Sequence, residues 1–245
     1  GAHLPVRLGR ELTGALEALC RREGVTPFMA LLAALQVLLS RYSGQEDVCV
    51  GSPVAGRGRM ETEGLIGFFV NTLVLRTKLA GNPTFRELLG RVRESTLGAY
   101  AHQDVPFEKL VEALQPERDL SRTPLFQVML ALQNAPLPEL SLPGLTLRPL
   151  ELERKSSKFD LAFSFSEQEG ELRGTVEYNS DLFDSGTVSR MFEHLQAMEL
   201  GFFTRTKTGV IQSRLQNDVG GVSGVLTNTV TSILGNTVTV ISALV

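Results

Sequence analysis

The sequence carries no large excess of charge of either sign. Its 24 Lys and Arg against 27 Asp and Glu leave a formal charge of −3. No basic stripe is offered to a phosphate backbone, and nucleic acid is not expected as a partner. Cysteine is scarce. Cys20 and Cys49 are the only two, both in apolar surroundings and not in a CxxC pair. That fits buried free thiols of a reduced, cytoplasmic compartment rather than a disulfide or metal framework. Histidine is nearly as scarce: His3, His102 and His194 are dispersed, and no H-E-x-x-H spacing points to a metal. A G-x-S-x-G nucleophile elbow is missing, and so is the G-x-x-x-x-G-K-[ST] loop that cradles phosphates. No charged-then-apolar leader opens the chain, and its first residue is Gly1 rather than Met. A piece cut from something longer is therefore expected. Finally, Val219 to Val245 contains no charged residue, although charges are spread along everything before it. A uniform domain would not change composition in that way.

What is present is enough for a real core. The chain has 245 residues, 42% of them hydrophobic and 21% charged, which suits one large domain or two small ones. The stretch Leu65 to Arg76 (L-I-G-F-F-V-N-T-L-V-L-R) organises the rest. Gly67 breaks the run, and Phe68 to Leu75 reads as a strand with apolar residues on both faces, as in a central strand covered on both sides. Asn71 is the polar residue in its middle. A buried amide needs hydrogen-bond partners or costs about 1–3 kcal/mol, so Asn71 is expected to tether a neighbouring loop or, alternatively, to contact a substrate.

Helical and strand patterns interleave through the first two hundred residues. Leu8 to Arg22 reads as a helix ended by Gly24. Thr26-Pro27 opens a second helix, apolar nearly all round and running to about Tyr42; it is too short to span a membrane. Asp47 to Pro53 reads as a short buried strand, and Gly56 to Arg59 as a mobile loop of solvated arginines. Thr84 to Glu87 is a capping box that starts an amphipathic helix through Tyr100. That helix stops at His102-Gln103-Asp104-Val105-Pro106-Phe107-Glu108, where Pro106 suits the first turn of a new helix bearing Phe107, Leu110, Val111 and Leu114. General-base work by His102 would need a partner orienting its ring, and Asp104 two residues on does not establish one. His102, Gln103 and Asp104 are expected instead to tie down the helix–helix junction. Arg118 to Pro124 is an irregular connection, Phe126 to Leu132 a strand, and Asn134 to Gly144 a long loop with three prolines. Phe159 to Ser166 and Glu171 to Asn179 alternate as a hairpin, and Asp184-Ser185 caps a last helix. This order describes an α/β or α+β sandwich with helices packed on a sheet.

Three segments together resemble a known family. Ile66-Gly67-Phe68-Phe69-Val70-Asn71-Thr72-Leu73 with Arg76 resembles the I-G-x-F-V-N-T-x…R motif of condensation domains from nonribosomal peptide synthetases. His102 to Glu108 is similar to their H-Q-D-x-P-F-E motif, and Arg118-Asp119-Leu120-Ser121-Arg122-Thr123-Pro124-Leu125 to their R-D-x-S-R-x-P-L motif. Phe159-Asp160-Leu161 and Tyr178 to Phe183 resemble the closing hairpin and its exit. The resemblance covers roughly residues 5–190, with several motifs in the family's order. It implies an α/β, chloramphenicol-acetyltransferase-like sandwich of two lobes with a tunnel between them. In that family an amine on one carrier-protein phosphopantetheine arm attacks a thioester on another and an amide forms. The family's catalytic H-H-x-x-x-D-G motif has no counterpart here, so the resemblance extends to the C-terminal lobe alone and carries over no catalytic residue. It implies a tunnel wall made by Gly67, Phe69, Val70, Asn71, Thr72 and Arg76. It implies a structural motif made by His102, Gln103, Asp104, Pro106, Phe107, Glu108, Arg118, Asp119, Ser121 and Arg122. No cofactor is expected to bind directly. The implied partners are carrier proteins, which present substrates on phosphopantetheine, and the N-terminal lobe.

The C-terminus resembles something else. Phe202 to Gly209 and Gln212 to Val219 are similar to the first cytoplasmic loop of ABC exporters, which implies that the uncharged stretch after Asp218 starts a membrane-crossing helix. The expected organisation is therefore a condensation lobe over residues 1–195 and an exporter-like, helical tail over 196–245. A chimeric seam is expected between about Val188 and Glu199, with membrane association of residues 219–245. Three functions remain in view: a piece of an amide-forming enzyme, a noncatalytic piece that docks a carrier protein or the other lobe, and a transport component.

Overall fold

The computed structural model describes residues 1–56, 67, 69–116, 119, 122–133 and 156–197. The loops expected at 57–59 and 134–144, the residues Arg118 and Ser121, and the whole tail after 197 lie outside the described residues.

Six strands form one mixed sheet in the order β1-β6-β5-β4-β2-β3. They are β1 (Ala2–Leu8), β2 (Asp47–Ala55), β3 (Val70–Lys78), β4 (Val128–Gln133), β5 (Leu161–Gln168) and β6 (Glu171–Tyr178). The pairs β2/β4 and β4/β5 are parallel and the other three antiparallel. The helices are α1 (Arg10–Glu23), α2 (Pro27–Ser43), α3 (Phe85–Ala101), α4 (Phe107–Leu114) and α5 (Ser185–Ala197).

Strand alternation sorts the sheet into two faces. Leu73 and Leu75 of β3, Val48 and Val50 of β2, Leu130 of β4, Leu161, Phe163 and Phe165 of β5, and Val176 and Tyr178 of β6 share one face by register and are buried. Helix α2 packs on that face at β2, with α1, α3 and α5 against it. Its Leu32, Ala33, Leu35, Val37 and Leu38 are all at most 1% exposed. Burying each such aliphatic side chain contributes about 1.5–3 kcal/mol, so α2 is the centre of the core. Its ends are set locally. Thr26 Oγ1 accepts from Met29 N–H at 3.2 Å, and Gly44, at φ 72°, turns the chain out. The Thr84–Glu87 capping box starts α3 in both directions, and Asp184 caps α5 through Thr187 N–H at 2.7 Å.

Three expectations change. The organising strand is not central: β3 is the edge strand, paired only with β2, and it starts at Val70, so Asn71 is its second residue. Its outward-facing Val74 is half-buried and Arg76 exposed, because α3 covers one face alone. The first helix begins at Arg10 because residues through Leu8 are taken by β1 at the opposite edge. Pro5 lacks an N–H, which an edge strand tolerates. Thr13 stitches this corner: its hydroxyl donates to Leu8 O at 3.1 Å and accepts Leu172 N–H at 3.3 Å. Phe126 lies outside its expected strand, which starts at Val128.

Among the described residues no single helix is long and apolar enough to cross a membrane. Helices α1 and α2 reach that length only as a pair bent by 103°. Cys20 is buried, Cys49 half-buried, and both are free thiols; burial pushes the Cys20 thiol up to about 11.

Candidate functional site

The site is the corner where edge strand β3 meets the junction of α3 and α4. Helix α3 ends at His102 in a tight turn: His102 N–H donates to Ala99 O, Gln103 N–H to Tyr100 O and Val105 N–H to His102 O. That turn leaves the Gln103 and Val105 carbonyls free for the side chain of Asn71. Asn71 Nδ2 donates to Gln103 O at 2.7 Å and to Val105 O at 2.8 Å. Its Oδ1 accepts Phe107 N–H at 3.2 Å and its neighbour Thr72 N–H at 2.8 Å. A primary amide has two donor hydrogens and one oxygen with two lone pairs, so all four capacities are used. Exchanging O and N would set the NH2 against two N–H donors, so the network itself fixes the orientation.

The tether expected of Asn71 is thus present. The junction is held from the strand: Asn71 provides the clasp, and the contributions of Gln103, Val105 and Phe107 are backbone groups. His102 and Asp104 are exposed, and Gln103 is half-buried. Pro106 is the N-cap of α4 and offers no side-chain hydrogen bond, so Asn71 supplies the partner for the first helical N–H.

By register Asn71 shares the face of Leu73, whereas Phe126 fills the space a Gly51 side chain would enter on the other face. Phe107 meets Phe126 edge-on at 5.7 Å between ring centroids, and Phe126 stacks on Phe159 at 5.6 Å. This aromatic row seats α4, which has no fully buried residue. One wall of a groove of about 910 Å³ is formed by Glu108, Val111 and Glu112, and the other by Asp119, Arg122 and Leu125. Arg122 and Asp119 face each other at 3.8 Å. Arg118 and Ser121, assigned to the same motif, lie outside the described residues.

The remaining residues expected in a tunnel wall are only partly gathered. Phe69 is half-buried, its carbonyl taken by Gly56 N–H, and Gly67 is exposed beside the Phe69 ring. Val70 (48% exposed) stands with Leu97, Tyr100 and Val105 as four of the six exposed large apolar side chains among the described residues. Arg76 is several residues along the strand and binds Asp47 in a two-pronged pair, Nε to Oδ1 at 2.8 Å and Nη2 to Oδ2 at 2.7 Å. The guanidinium hydrogen bonds hold the Asp47 carboxyl below its ordinary range and raise Arg76 in turn. Sequence reading missed Asp47 because the pair is diagonal across strands: Arg76 lies opposite Cys49, and only the register reveals a partner two residues away. It also missed Phe126 as the seat of α4. Gly51 inside a strand was the available signal, since such a glycine marks close approach of another group.

The arrangement is a rigid corner built to position a loop and a short helix. Among the described residues no three His, Cys, Asp or Glu side chains are grouped to hold a metal. Comparison with known proteins agrees with the motif order: a family profile described as "Condensation domain" matches residues 2–219. The chain belongs to the condensation-domain family. That match runs past residue 195, into the segment that resembles an exporter loop. The chain is 54% identical over 200 residues to a linear gramicidin synthase of Brevibacillus parabrevis, covering 81% of this chain and 4% of that synthase. Its fold is similar to the X-domain from teicoplanin biosynthesis, with a TM-score of 0.74 at 28% identity over 85% of this chain and 48% of that one. A four-domain nonribosomal peptide synthetase bound to AMP and glycine gives a TM-score of 0.74 at 27% identity, over 84% of this chain and 17% of that chain. The fold is thus the chloramphenicol-acetyltransferase-like α/β type of condensation domains.

Proposed function

We propose that residues 1–195 are the C-terminal lobe of a condensation domain, acting in amide formation between aminoacyl or peptidyl thioesters held on carrier-protein phosphopantetheine. The observation that carries the reading is the Asn71 clasp, which joins the I-G-x-F-V-N-T and H-Q-D-x-P-F-E segments into one corner. The span of 48% of the X-domain chain supports one lobe of two. In this reading β3 from Val70 to Arg76 forms part of the tunnel wall, and Asn71 acts by positioning residues 103–107, its polar capacity being used up. Gly67, Phe69 and Thr72 continue the wall. Val70, Leu97, Tyr100 and Val105 are each exposed, and in this reading they face a carrier protein or the other lobe. The described chain holds no H-H-x-x-x-D-G motif, so it does not catalyse alone. Incubation with loaded donor and acceptor carrier proteins is expected to give no amide product, with partial rescue at best when an N-terminal lobe bearing that motif is added. Amide formation by the chain unaided overturns the reading.

For residues 200–245 the exporter resemblance supports a separate, membrane-associating segment, and a chain shortened after Gln196 is then expected to be more soluble. In this reading the seam of the fusion lies between about Val188 and Glu199, and the burial of Val188, Met191, Phe192 and Leu195 in the core favours the later part of that range. No gain in solubility counts against a membrane-seeking tail.

A further inference from the structure

A second cavity, of about 480 Å³, opens at the far end of the sheet from the Asn71 corner. Its mouth includes Asp47, which pairs with Lys78 at one end of the β2–β3 ladder, whereas Asn71 pairs with Val54 at the other. At ~3.4 Å per strand residue Asp47 is roughly 24 Å along β2 from Val54, the partner of Asn71, although Leu125 and Gln127 border both this cavity and the 910 Å³ groove. The volume lies within the range of small-ligand pockets, which are mostly apolar with a few placed polar groups. The walls are apolar: Leu125, Val128, Leu161, Phe183 and Met191 line it from four segments of the chain. No Lys or Arg is among the lining residues.

The polar groups in this cavity differ in how far they are already used. Tyr42 Oη is bonded to His194 Nδ1 at 2.9 Å. Gln127 Nε2 donates to Thr123 O at 3.0 Å, and both carboxylate oxygens of Asp47 are held by Arg76. Asp160 is different. Its backbone is tied on both sides, N–H to Gln127 O and carbonyl to Asn179 N–H, each at 3.0 Å. Its side chain is half-buried and makes no hydrogen bond or ion pair with any described residue. Asp160 thus lines the cavity on a fixed backbone, with a carboxylate that no described residue binds. Leu125 closes the side toward the 910 Å³ groove and lines both cavities. It does so at φ 70°, the left-handed region, which a branched side chain rarely adopts.

We propose that this cavity is a binding site for a small primary amine with an apolar body. The ammonium is set on the Asp160 carboxylate, and the body lies against Leu125, Val128, Leu161, Phe183 and Met191. A charge-assisted hydrogen bond on a half-buried carboxylate is worth roughly tenfold in affinity or more, while the walls provide apolar area without charge preference. The site is independent of the lobe assignment above, and neither stands or falls with the other.

The test uses the full chain, isotope-labelled, with 2-phenylethylamine and, separately, 3-phenylpropionate as probes followed by amide chemical shifts. The amine is expected to bind saturably, with shifts confined to residues 42–49, 125–128, 160–161 and 183–191. The carboxylate is expected to bind at least about tenfold more weakly. Asp160→Asn, which keeps the shape, is expected to remove that preference. Should the variant fold poorly, the comparison of the two probes on the unaltered chain decides alone. Equal binding of both probes, unchanged amine affinity in Asp160→Asn, shifts centred elsewhere, or no saturation up to about 10 mM, a weak-ligand limit, each overturn the proposal.

Discussion

Replacing Asn71 by Ala removes the clasp without changing the strand. Three bonds reach across to the junction, to Gln103 O, Val105 O and Phe107 N–H, and a fourth is local to Thr72. Each is worth about 0.5–1.5 kcal/mol net. The corner is half-exposed, so water recovers part of the loss, and the expected cost is about 2–3 kcal/mol. Asn71→Asp is the sharper variant because it is isosteric. It keeps both acceptor bonds, loses both donors, and sets a carboxylate oxygen where 2.7 and 2.8 Å contacts to carbonyl oxygens existed. That environment favours the neutral form, so the new carboxyl titrates higher folded than unfolded. A raised folded value means its contribution is fully present below the unfolded value, about 4, and is lost as pH rises through the folded one. Asn71→Asp is thus expected to match or exceed Ala in damage at pH 7 and to recover toward wild type near pH 4. Urea midpoints at both pH values measure this, and hydrogen exchange at residues 103–107 localises it. An Asn71→Ala midpoint within about 0.5 kcal/mol of wild type, or an Asp variant with no pH dependence beyond wild type's, refutes the clasp.

Gly51→Ala drives a methyl into the Phe126 ring and is expected to cost about 1–3 kcal/mol as overpacking. Phe126→Leu in the same chain should relieve part of that, and strictly additive losses in the cycle would contradict the contact. Thr13→Val leaves Leu172 N–H without its side-chain acceptor and removes the donor to Leu8 O; a loss of about 1–3 kcal/mol in thermal or urea unfolding is expected, with Thr13→Ser retaining most of the stability. Asp47→Asn should change stability little at high salt, because the Arg76 pair is exposed and screened. The Asp47 carboxyl is held low by Arg76, so its contribution is present above the unfolded value, about 4, and fades as pH falls through the folded one. A stability difference that grows on acidification would contradict that sign.

Local signals carried much of this protein. The Thr26, Thr84 and Asp184 caps, the Gly24 stop, and the alternation of Leu161, Phe163 and Phe165 were legible because each depends on neighbours within a few residues. So was the family, through motifs kept in order, and so was the tether function of Asn71, since a buried amide must find partners. Which partners it finds depends on a contact more than thirty residues away. The order of strands was illegible for the same reason. An apolar run such as Phe69 to Leu75 reads alike in the centre of a sheet and at an edge packed under a helix; only the assembled layers show that α3 covers one face of β3 and leaves Arg76 in solvent. Asp47 with Arg76, Phe126 over Gly51, and Asp160 on the wall of its cavity all arise from register and loop path. Those are long-range quantities, set when the sheet closes, and no window along the chain contains them.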